Sequence, residues 1–265
     1  MDDLSYTPAA EGKPSLKDRI LGMNKALLAI IGGALALVIV AVILITLLAG
    51  GGKTSSFSLL EKMYNGKITS YETAVVKLLN GADKNTVSNI LKIMKKNDDF
   101  KEDYLESNEE SLALMIERFE DEYGDDFKVR IRNERDSQEQ IDEDDLDDYK
   151  DDLKELGKRY AALGKSLSSL KSSEKKDLAE DLDISVSDLN KLIGYIKDLG
   201  SVLKTAKVTD GYDLEAEMTI TGSELDEPET EYENLTVLKV NGKWVSEFGY
   251  EALEDLYRTL YRFLG

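Results

Sequence analysis

The feature that most constrains this chain is a run of twenty-four residues, 26–49, opening at Ala26 and closing at Ala49, without a single charge and almost wholly aliphatic. As a helix it reaches roughly 36 Å, enough to cross a hydrocarbon core of about 30 Å with some tilt. A helix buried in a soluble domain carries a polar stripe, and this one shows none in any register. The run predicts a transmembrane helix and makes the lipid bilayer a partner of the chain. Lys13, Lys17, Arg19 and Lys25 precede it, whereas only Lys53 and Lys62 follow closely. The positive-inside bias then predicts a single-pass protein of the cell membrane, with a cytoplasmic tail over 1–25 and the C-terminal domain outside. A cleaved signal peptide needs an apolar region of only about 7–15 residues, so an uncleaved signal anchor is the expectation. Leu48-Ala49-Gly50 opens like a bacterial lipobox, but Gly51 stands where the lipidated cysteine belongs, and that anchor is chemically ruled out.

Composition removes whole classes of chemistry. The 265 residues include no cysteine and no histidine. Without cysteine there is no disulfide framework, thiolate nucleophile or zinc knuckle. Without histidine there is no imidazole base, triad member or common metal ligand. The 53 acidic against 34 basic side chains leave a net charge of -19, which argues against binding nucleic acid, whose phosphates need a basic footprint. Residues 1–25 are charge-balanced, so the whole excess lies in residues 50–265. Gly50-Gly51-Gly52 and the polar residues after it predict a flexible tether over 50–56, and 57–265 is long enough for one domain with its own core.

The first half of that domain reads as helices. Val75, Val76, Leu78 and Leu79, then Val87, Ile90, Leu91 and Met94, predict two helices that break near Asn80-Gly81. Leu112, Met115, Ile116, Phe119 and Tyr123 share one face of a third, from about Glu102, which Gly124 ends. Phe127, Val129 and Ile131 alternate with basic residues in the period-two pattern of a half-buried strand.

Leu146, Tyr149, Leu153, Leu156, Tyr160, Leu163, Leu167 and Leu170 follow at alternating spacings of three and four. This heptad stripe has two readings: a seam that forms a homodimer, or a long helix packing on its own domain, the reading favoured by the interruptions at Gly157 and Gly164. Another helix is expected within residues 185–203, around Leu189, Leu192, Ile193 and Ile196.

The last third reads mostly as strand. Tyr212, Leu214, Ala216, Met218 and Ile220 alternate with polar residues; an acidic loop is expected over 224–231 and a second strand over 232–240. Asn241-Gly242 before Lys243-Trp244-Val245 is a hairpin signal, because a type I′ turn needs positive φ at both central positions. A closing amphipathic helix carries Leu253, Leu256, Tyr257, Leu260 and Tyr261.

The segment Leu238-Lys239-Val240-Asn241-Gly242-Lys243-Trp244-Val245, after its long alternating strand, resembles the last hairpin of nuclear-transport-factor-2-like domains, also described as ketosteroid-isomerase-like or cystatin-like. Such domains often follow a single transmembrane helix in uncharacterised envelope proteins of Gram-positive bacteria. The resemblance implies an α+β fold with helices packed on a curved antiparallel sheet. This chain departs from it by a helical insertion at about 139–205 and by a C-terminal helix. Catalytic members use an Asp base with a Tyr/Asp oxyanion pair, and no residue here aligns to those positions.

Candidate chemistry is sparse. The acidic run that includes Asp142, Asp144, Asp145 and Asp148 invites a hard cation with six to eight oxygen ligands. It fails the EF-hand pattern, with Leu146, Asp147 and Leu153 at the fifth, sixth and twelfth positions, and a helix would scatter the carboxylates around its barrel. A solvated acidic first turn facing the helix dipole is the simpler reading, so no metal or cofactor is expected. Gly52-Lys53-Thr54 looks like the tail of a phosphate loop, but the first glycine would fall at Leu47 within the apolar run. Tyr212, Tyr232 and Trp244 are candidates to line a pocket or to fill the core.

The expectation is a non-enzymatic, membrane-anchored extracytoplasmic binding or assembly module of the bacterial cell envelope, with an envelope protein or peptide as partner. Two alternatives stand beside it. One is a ketosteroid-isomerase-like enzyme using carboxylates and tyrosines on a small apolar ligand. The other is a membrane scaffold dimerising through the stripe at 146–170.

Overall fold

Helices fill the first half of the domain because its apolar residues recur at helical spacing and its turns carry caps. The computed structural model describes residues 55–78, 81–133, 138–246 and 248–265. The expected cytoplasmic tail and membrane span lie outside the described residues. Among the described residues no helix is long and apolar enough to cross a membrane.

Helix α1 (Ser55–Tyr64) begins inside the stretch expected to be a tether over 50–56, so Ser55 and Ser56 are helical. Helices α2 (Tyr71–Leu78) and α3 (Gly81–Met94) follow, and the break expected near Asn80-Gly81 falls on residues 79–80, outside the described residues. The Asn97 side chain accepts from the Phe100 amide at 2.7 Å and opens α4 (Asp98–Phe100). A π-helical turn, Lys101–Glu106, joins α4 to α5 (Ser107–Tyr123), which stops at Gly124 with φ 95°. The third helix therefore enters through a wider turn than its 3.6-residue period implies.

The sheet is antiparallel, curved like half a barrel, and ordered β1 (Lys128–Asn133), β3 (Val208–Thr221), β4 (Glu229–Val240), β5 (Lys243–Ser246). The short β2 (Glu139–Gln140) also pairs with β3, with Gln140 opposite Tyr212, so the expected helical insertion starts after a strand. The insertion is α6 (Glu143–Ser169), α7 (Ser172–Asp181) and α8 (Val186–Lys204). Helix α9 (Phe248–Leu264) ends the chain. Asn241 and Gly242, at φ 51° and 81°, make the expected turn between β4 and β5.

The heptad stripe is used within the chain. Leu153, Leu156, Tyr160, Leu163 and Leu167 are buried, as are Leu189, Leu192, Ile196, Leu199 and Leu203 on α8, along which α6 packs. A homodimer through this stripe would have to strip α6 from α8. Gly157 and Gly200 bring the two helices together main chain to main chain: a Cβ at Gly200 would sit 2.6 Å from the Ala161 amide nitrogen and 2.9 Å from the Gly157 carbonyl oxygen. Gly157, one of the two glycines that interrupt the stripe, thus lies in that main-chain contact. Helix α9 docks through Leu253, Leu256 and Leu260, and the buried Tyr160 hydroxyl donates to the Leu253 carbonyl at 2.6 Å.

One edge of the sheet is closed by side chains. The Asn65 amide, just past α1, donates to the Val129 carbonyl at 2.8 Å and accepts from the Val129 amide at 3.1 Å. Glu61 accepts from the Ile131 amide at 3.4 Å. Side chains from α1 thereby stand in for a neighbouring strand along β1.

Candidate functional site

The acidic run does not gather. Asp142 caps α6 by accepting from the Asp145 amide at 3.0 Å, while Asp144 and Asp148 are exposed on successive turns. Among the described residues no group of three or more acidic side chains is arranged to hold a metal ion. The run opens a helix whose dipole it complements.

The three candidate aromatics separate. Tyr212 and Trp244 meet with ring centroids 5.7 Å apart, and Lys239 lies over the indole at 5.7 Å. Tyr232, opposite Glu217, is 53% exposed and belongs to the other face of the sheet. Tyr212 and Trp244 pack against the core, so the three do not line one pocket.

A different constellation forms at the far end of β4. Residues directly paired in an antiparallel ladder share a face. Glu229, Glu231 and Glu233 pair with Ile220, Met218 and Ala216, so three glutamates occupy the face that elsewhere carries the core. Helices α1 and α5 supply the aromatic wall beside them. Tyr64 and Phe119 approach at 5.4 Å, Phe119 and Tyr123 at 5.3 Å, and Phe119 and Phe127 at 5.6 Å.

Burial raises the carboxyl of Glu231 above its ordinary value, and Glu229 and Glu122 raise it further. Glu233 is raised by burial and then by Glu231. The Tyr64 hydroxyl is held high by burial, then by Glu233 and Glu231. The charges acting on this cluster are carboxylates, and a cation brought here gains both their field and the aromatic faces. The sequence carries a signal for it, Glu-x-Glu-x-Glu from 229 to 233, but reading 224–231 as loop hides that period of two. The strand begins at Glu229 instead.

Two further places carry polar chemistry. A cleft of about 550 Å³ is lined by Lys92, Lys95, Lys96, Lys101 and Leu105, with Glu72, Glu106 and Glu109 among them. Its charge is largely compensated: Lys95 pairs with Glu72 and Lys96 with Asp188, each at 2.8 Å, and Lys101 pairs with Glu106. Inside the helical half, the Tyr71 hydroxyl donates to that of the buried Tyr104 at 3.3 Å. Burial raises both phenols, which therefore stay protonated, and it also raises the Asp255 carboxyl, against the lowering effect of Arg258.

Comparison of the chain with protein-family models, curated proteins and solved structures finds no match.

Proposed function

We propose that this chain is a single-pass, membrane-anchored binding or assembly module of the bacterial cell envelope, held by residues 26–49 and presenting its α+β domain outside the cell. In this reading the domain is a nuclear-transport-factor-2-like fold with a helical insertion and an added C-terminal helix. The observation that carries the binding function is the row Glu229, Glu231 and Glu233 on the inner face of the sheet beside Tyr64, Phe119 and Tyr123. Carboxylates turned to that side add nothing to a hydrophobic core and cost desolvation. A cationic ligand offsets that cost, whereas anionic envelope polymers are repelled.

The test is protease shaving of intact cells that carry an epitope after Gly265. Loss of the epitope from sealed cells is expected; survival until lysis overturns the placement. The proximity of Tyr64 to raised carboxyls at Glu231 and Glu233 also favours an enzymatic reading, proton transfer on a small apolar ligand. Glu233→Gln separates the two: an enzyme loses turnover by orders of magnitude, whereas a binding module only loses affinity.

A further inference from the structure

The two edges of the sheet are treated differently. Side chains of α1 close β1, but β4 is left open over much of its length. On one side β4 pairs with β3 from Glu229 to Val240. On the other, β5 covers only Val237 to Val240. Among the described residues no strand pairs with the outer side of β4 before Val237.

The direction of the main-chain groups follows from the hairpin. In a two-residue turn the flanking residues, Val240 and Lys243, form a hydrogen-bonded pair, so every second residue of β4 directs its N–H and C=O to the β5 side. The intervening residues obey the alternation: the Lys239 carbonyl accepts from Thr209 at 3.2 Å, and the Asn241 amide donates to the Lys207 carbonyl at 2.9 Å, both toward β3. Thr230, Tyr232 and Asn234 consequently aim their amides and carbonyls at the open edge. Such a row is a template for another strand.

The side chains select what can use it. Glu229, Glu231 and Glu233 line the inner face of this edge; on the outer face Tyr232 and Asn234 stand opposite Glu217 and Glu215. A second copy would bring like charges together. A strand with Lys or Arg at alternate positions would meet carboxylates on the inner face and the exposed Tyr232 ring on the other.

We infer that the outer edge of β4, at Thr230, Tyr232 and Asn234, is a docking edge for an extended cationic segment of another polypeptide, which adds to the sheet as a strand and lays alternate basic side chains against Glu229, Glu231 and Glu233. This rests on the reading of the chain as a binding module and names the chemistry of its partner.

The experiment uses the full-length chain in detergent and a labelled short peptide alternating Lys with Thr, its binding followed by fluorescence anisotropy. A net charge of -19 attracts any polycation, so backbone methylation decides. Methylating alternate peptide amides in one register removes the donors that face β4; methylating the other register leaves them. Strand addition predicts at least a tenfold loss in one register and little in the other.

Tyr232→Pro removes an amide that β3 does not use, and is expected to abolish binding with the unfolding midpoint nearly unchanged; Tyr232→Ala retains it. Equal losses in both registers, or no binding, overturn the inference. Self-association that Tyr232→Pro abolishes also overturns it, since a second copy would then occupy the edge. Shaving reports placement separately: an external domain that ignores the peptide defeats only this inference, and an internal one defeats the envelope reading whatever the peptide does.

Discussion

Gly200 and Gly194 lie on the same helix, yet alanine at each should act with opposite sign. In an unobstructed helix interior, Gly→Ala is worth about 1 kcal/mol of stability. At Gly194 nothing lies within 4 Å of a new Cβ, so that gain should appear nearly whole. At Gly200 the obstacles are the Ala161 amide nitrogen at 2.6 Å, the Gly157 oxygen at 2.9 Å and the Ala161 Cα at 3.0 Å. All are main chain, so no side chain can rotate away. Restoring an ordinary separation of about 3.5 Å requires α6 and α8 to part by about 1 Å, which forfeits a quarter to a half of the dispersion energy across the seam.

Overpacking of that kind costs about 1–3 kcal/mol, and against the propensity gain the net loss should be about 0–2 kcal/mol. The two variants should then differ by about 1–3 kcal/mol, or about 0.5–1.5 M in urea midpoint at an unchanged slope. Equilibrium unfolding followed by the fluorescence of Trp244, the chain's single tryptophan, reads this directly. If Gly200→Ala raises the midpoint as Gly194→Ala does, the helices are not in main-chain contact and the account of the stripe is wrong.

Asn65→Ala leaves the Val129 amide and carbonyl without partners at the edge of β1, with an expected loss of about 1–3 kcal/mol and faster hydrogen exchange at Val129. Gly242→Ala has open space around its new Cβ but sits at φ 81°, so urea unfolding should show a loss of about 1–2 kcal/mol from backbone conformation alone. Glu231 and Glu233 titrate above the ordinary 4.5 in the folded chain, so above that pH the folded state holds protons that the unfolded state has released. Their contribution is full below 4.5 and fades as pH rises through the folded values. Unfolding midpoints measured across pH should therefore fall less steeply on that rise in the Glu231→Gln, Glu233→Gln double variant; a parallel profile would mean the carboxyls are solvated.

How far the sequence reaches can be judged at particular residues. The alternation along β3 and the turn at Asn241-Gly242 were both legible, because each depends on a few consecutive residues and one backbone preference. The apolar run at 26–49 predicts its own environment for the same reason, since length and hydropathy are local. Periodicity shows that a helix has an apolar face but not what covers it. The stripe of α6 could therefore be read as an intermolecular seam until α8 was found against it, with Gly157 and Gly200 in contact.

The candidate site is tertiary in the same sense. Glu229, Glu231 and Glu233 resemble a solvated loop until pairing with Ile220, Met218 and Ala216 turns them onto the inner face, beside Tyr64 from a helix more than 160 residues earlier. Likewise, only the sheet register shows that β5 stops at Val237 and leaves the acidic edge of β4 open, whereas Asn65 reaches across from α1 to close β1. Local sequence sets which groups a strand presents and at what period. Which of them are met, buried or left facing outward depends on contacts between residues distant in the chain.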